Sequence, residues 1–169
     1  MPIASVNGVD LYYEETGQGY PLVWSHEFGG DHRSWEPQVR YFSRRYRVIT
    51  YNHRGYPPSS VPQQADGYSQ DLLVEDLYQL LNRLGLRQVH LGGCSMGANV
   101  ARDFAIAHPD RTRSLILVGA GAGAVNREQF LTAQAATADG LERDGMAAQL
   151  RGFETLSTRA SFKRKDPRG

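Results

Sequence analysis

Apolar residues fall along this chain in two rhythms, short compact blocks and longer stretches at helical spacing. Ala4–Val6 and Val9–Tyr13 alternate in character and are joined by Asn7-Gly8, a strong signal for a tight two-residue turn, so the chain is expected to open with an antiparallel hairpin. Pro21–Trp24, Tyr46–Tyr51, Gln88–Leu91 and Ser114–Val118 are compact apolar blocks of the kind buried on both faces of a parallel sheet. Between them Leu73, Leu77, Leu80 and Leu84 recur at helical spacing, and Gly85 supplies a stop, which predicts a helix over Gln70–Leu84. Strand and helix therefore alternate. The pattern predicts an α/β fold in which the hairpin leads into a mostly parallel sheet, with right-handed crossovers and helices on both faces. Past Val118 the sequence turns rich in Ala, Gln and charges and has no strand-like run, so two or three short amphipathic helices are expected. We divide the chain into a core over residues 1–124 and an appended helical segment over residues 125–169.

Composition narrows the partners. A chain of 169 residues that is 40% hydrophobic can bury a core, and its formal charge of +1, with acids and bases interleaved, offers no electrostatic footprint for nucleic acid or an anionic membrane. Small neutral or moderately polar ligands fit better. The single cysteine, Cys94, has no partner for an internal disulfide, and the N-terminus lacks the charged start and apolar run of a signal peptide. No apolar run approaches the roughly 20 residues of a membrane helix. A cytoplasmic location is expected.

Gly93-Cys94-Ser95-Met96-Gly97 fits G-x-S-x-G, with an apolar block before it and a small-residue helical stretch after it. A strand that reverses into a helix within one residue forces the apex side chain into a strained conformation, and bulky residues two positions away would collide there. The apex hydroxyl then sits at the carboxyl end of the sheet, where the helix points its N-terminal N–H groups. Cys94 is the better nucleophile intrinsically, but the glycines flank Ser95 symmetrically, and Cys94 reads as a small buried neighbour.

From about residue 5 to 125 the chain resembles the N-terminal part of the α/β-hydrolase superfamily, in particular the small hydrolases grouped with epoxide hydrolases, haloperoxidases and esterases. The resemblance rests on "LVWSHEFGGDHRSW", "VITYNHRGYPPS", "GGCSMG" and "AIAHPDRTRSLILVGA", in this order and spacing. It implies that Ser95 is the nucleophile, that the Met96 backbone N–H is one oxyanion donor and Phe28 the second, and that Gly93, Gly97, His26 and Glu27 support the site. His26 is expected to organise its loop by hydrogen bonds. Glu27 stands where the family has glycine, and a carboxylate there opposes developing negative charge unless it turns away or is protonated. Asn52 and Pro58 depart from the family's Asp and Gly, and His53 is expected to be a solvated or capping residue. Epoxide hydrolases and haloalkane dehalogenases of this family use aspartate at the elbow, so a serine points to acyl chemistry on an ester, thioester, lactone or related small hydrophobic substrate. No metal or organic cofactor is implied.

The superfamily places its acid and histidine after the nucleophile. The only downstream histidine, His108, follows Ser95 by a stretch of helix about 20 Å long, and Asp103, Asp110, Asp139, Asp144 and Asp166 lack a suitable context. The C-terminal strands of the fold are therefore expected to be missing, residues 125–169 to be a truncated cap or lid, and the chain to lack its triad acid and base. Such a chain is expected to be inactive alone and to be completed by a C-terminal fragment or second chain. A non-catalytic ligand-binding or complementation module of the same fold is the alternative. A nucleotide site at Gly119-Ala-Gly121-Ala-Gly-Ala124, with Asp139 beyond it, is a weaker third reading.

Overall fold

A computed structural model of the protein describes residues 2–121 and 126–155. The hairpin is formed by β1 (Ile3–Val6) and β2 (Val9–Thr16), paired antiparallel. Asn7 and Gly8 both take positive φ, 46° and 74°, the geometry for which Asn-Gly is suited. Four strands follow: β3 (Tyr20–Ser25), β4 (Tyr46–Tyr51), β5 (Val89–Cys94) and β6 (Thr112–Val118). They form one six-stranded sheet in the order β1-β2-β4-β3-β5-β6. β2 joins β4 antiparallel, and the β4–β3, β3–β5 and β5–β6 pairs are parallel.

Alternate strand residues feed two cores. Val23, Ile49 and Leu91 pack with Leu77, Leu80 and Leu81 of α2 (Gln70–Arg83) and with Val100 and Phe104 of α3 (Met96–Ala107). The other face buries Leu22, Trp24 and Val48 against Trp35 and against Val39 and Phe42 of α1 (Glu36–Phe42). α2 begins where Ser69 Oγ accepts the Leu72 N–H and ends before Gly85 at φ 68°. A buried ion pair fastens the hairpin to this layer: Arg54 donates from Nε and Nη2 to the two Asp76 oxygens at 2.6 Å each, and Asn7 Nδ2 donates to the same carboxylate at 2.8 Å.

β6 is different. It forms the sheet's edge among the described residues, and Leu115, Ile116, Leu117 and Val118 are 37–48% exposed, so the expectation of a buried strand fails there. The chain divides into two compact units, Met1–Gly121 and Ala122–Gly169. In the second, α4 (Arg127–Thr155) starts at Asn126, whose Oδ1 accepts the Gln129 N–H, and is interrupted once, at Gly145. Gly145, at φ 75° and ψ 169°, divides the run into two helices, in line with the two or three expected, although the first is longer than expected. Residues 122–124 of the Gly119–Ala124 motif, Asp166 and the rest of 156–169 lie outside the described residues.

Candidate functional site

The parallel pairing of β3 with β5 sets Ser25 beside Gly93, so the loop after β3 emerges next to the start of α3. Between β5 and α3, Ser95 adopts φ 50°, ψ −113°, a strained conformation for a residue with a side chain. Its N–H donates to the Val118 carbonyl at 2.9 Å, and its own carbonyl accepts the Asn99 N–H. The two flanking glycines answer to different neighbours. A Cβ on Gly93 would strike the backbone of Gly97 and Ala98, whereas a Cβ on Gly97 would strike the carbonyls of Ser25 and His26. One glycine permits the turn; the other permits the β3 loop to press against it. Gly92 has a similar role, since the Trp24 ring lies over it.

Met96 and Phe28 come from these two adjoining segments, and neither backbone N–H has an acceptor among the described residues. Phe28 is 60% exposed. His26 does organise the loop: its Nδ1 lies 2.8 Å from the Glu27 carbonyl, which only accepts, while its Nε2 accepts the His53 N–H at 3.2 Å. Those two bonds fix a neutral ring carrying its proton on Nδ1. Burial lowers the His26 pKa, an effect partly opposed by the bond to Glu27.

His53 is not a solvated cap. It is fully buried, with Nε2 2.9 Å from Ser25 Oγ, which also accepts the Tyr51 hydroxyl at 3.3 Å. Burial, with His26 beside it, pushes the His53 imidazole well below its usual range. Asn52 replaces an expected carboxylate yet still accepts from the His32 N–H at 2.8 Å and donates to the Pro57 carbonyl. Tyr56, which sequence reasoning passed over, packs its ring against His26 at 4.7 Å and donates to Met96 Sδ at 3.9 Å. Glu27 Oε1 accepts the Ser34 hydroxyl at 3.0 Å. Cys94 is half-buried rather than enclosed, and its thiol is raised by burial and then by Glu27.

Among the described residues no side chain hydrogen-bonds Ser95 Oγ, and the five histidines are otherwise engaged. His108 stacks on Tyr78 beyond the far end of α3, His90 pairs with Ser114, and His32 sits between Asn52 and Glu14. Among the described residues the site therefore holds a strained apex serine and two backbone donors without acceptors, and no base lies beside them.

Residues 20–159 match the alpha/beta hydrolase fold family. The chain belongs to that family. Within it, the chain is 31% identical over 119 residues to epoxide hydrolase 3 of Mus musculus and 33% identical over 113 residues to epoxide hydrolase 2 of Siraitia grosvenorii. These alignments take in 69% and 66% of this chain but only 32% and 36% of the two relatives, so the chain spans about a third of their length. Its fold is similar to that of a mutant epoxide hydrolase from Bacillus megaterium, with TM-score 0.79 and 26% identity over 96% of this chain and 61% of the other. The hairpin, the mostly parallel sheet and the helices on both faces agree with that membership.

Proposed function

We propose that Ser95 is the nucleophile of a serine hydrolase that passes the acyl group of a small hydrophobic ester, thioester or lactone to water. The observation that carries this reading is the Ser95 apex itself, at φ 50° between β5 and α3, with the Met96 N–H left without an acceptor. Ser95 Oγ attacks the substrate carbonyl carbon and gives its proton to a base. The carbonyl electrons move to oxygen, and the Met96 and Phe28 N–H groups stabilise the oxyanion. Collapse expels the protonated alcohol or thiol and leaves an acyl-Ser95, which water then hydrolyses by the same route. Both base and acid come from polypeptide other than the described residues.

The named relatives are epoxide hydrolases, but the family's epoxide chemistry uses a carboxylate at the elbow. Serine favours acyl transfer instead. A second reading, a module completed by another polypeptide, is favoured by the exposed apolar run Leu115–Val118 on the edge strand β6. The test is turnover of a chromogenic short-chain ester, together with peptide-mapped fluorophosphonate labelling, in wild type and Ser95→Ala. Turnover or labelling that disappears in Ser95→Ala supports the hydrolase reading for the chain alone. Signal that arises only when a C-terminal hydrolase fragment is added supports completion, and labelling unchanged in Ser95→Ala overturns Ser95 as nucleophile.

A further inference from the structure

Immediately before the candidate donor Phe28 stands a carboxylate, Glu27, in a loop that touches the elbow through the Ser25 and His26 carbonyls against Gly97. Its side chain folds back over its own turn. Oε1 accepts from Ser34 Oγ at 3.0 Å, the Gly30 N–H donates to the Glu27 carbonyl at 3.2 Å, and a Cβ on Gly30 would collide with the carboxylate. The carboxylate thus lies directly against Gly30 and Ser34. Held there, the charge keeps its hydrogen bond within the loop, while its field extends to both sides of the elbow: Cys94, the residue before Ser95, and Tyr56, on the sulfur of Met96, are each raised by burial and further by Glu27.

No free cation balances it among the described residues near the site. Arg33 is bound to Asp31, Arg54 is buried on Asp76, and Arg102 is bound to Asp103. His26 and His53 are held neutral by burial and by their bonds. His32 lies between the carboxylates of Glu14 and Asp31.

We propose that Glu27 sets the charge selectivity of the site, so that it takes neutral or cationic acyl substrates and rejects those carrying a carboxylate or phosphate near the scissile carbonyl. This rests on Ser95 as the nucleophile. A like charge brought beside Glu27 meets repulsion with no compensating partner among the described residues, and a cationic group is drawn to it.

The experiment measures Ser95 labelling by three fluorophosphonates that differ only in a neutral, trimethylammonium or carboxylate end group, in wild type and Glu27→Gln at low ionic strength. The cation-to-anion rate ratio, with each rate normalised to the neutral probe, is expected to fall about three- to tenfold in Glu27→Gln, and to shrink with added salt in wild type only. An unchanged ratio overturns the proposal. If none of the probes labels Ser95 even with added imidazole or a C-terminal hydrolase fragment, the nucleophile reading fails on its own, and Cys94 answers the electrostatic question without any catalytic apparatus. Its modification by a cationic relative to an anionic methanethiosulfonate of equal size is expected to show the same fall in Glu27→Gln, and equal ratios in the two proteins overturn the proposal.

Discussion

β4 and β6 are both apolar strands of one sheet, yet they meet opposite surroundings. In β4 the run Val48–Tyr51 is buried on both faces, between α1 on one side and α2 with α3 on the other. In β6 the run Leu115–Val118 lies at the edge and is more than a third exposed throughout. An apolar block specifies a strand; its burial depends on what lies beside it. The candidate site falls between these regimes, at β3 and β5, where a wired loop meets an elbow whose N–H is tied to the last residue of the exposed strand.

The largest contrast is expected in the covered layer. Phe104→Ala, which empties a fully buried position between α3 and the sheet, is expected to destabilise the fold by about 3–5 kcal/mol in urea denaturation. Asp76→Asn leaves Arg54 buried with half of its partner's charge-assisted bonding lost and is expected to cost about 3 kcal/mol, read by the same method. Acid gives a graded version. The folded pKa values of His26 and His53 lie below those of the unfolded chain, so the unfolded state takes up protons first as pH falls. Their contribution is complete above about pH 6.5 and is lost on acidification below it, at up to about 1.4 kcal/mol per pH unit for each ring. Thermal melts between pH 7.5 and 5 check that sign. The smallest effect is expected at the edge: Leu117→Ser, at a residue 40% exposed, changes stability by less than about 1 kcal/mol but lowers self-association in sedimentation velocity.

Much of this fold was legible because its signals are local. Asn7-Gly8 marked the hairpin, the leucines of α2 marked a buried helix face, and Gly93 and Gly97 marked a turn that only small residues permit. Signals that depend on neighbours were not legible. His53 looks polar and loop-borne in sequence, but the β3 loop folds over it and buries it beside His26 and Ser25. Ser114–Val118 reads like β4 because burial is a property of adjacent elements rather than of the block itself. Tyr56 packs on His26 and reaches Met96, forty positions further along the sequence, and no spacing rule encodes that contact.

The proposed hydrolase reading combines a preformed elbow with a base that lies outside the described residues. It is tested most directly by following fluorophosphonate adduct formation on the Ser95 peptide with and without added imidazole, a small external base. Imidazole is expected to accelerate labelling at Ser95, and Ser95→Ala to abolish the accelerated adduct. Rapid labelling of Ser95 that is indifferent to imidazole would contradict the missing base, and adducts equally abundant in Ser95→Ala would contradict the nucleophile.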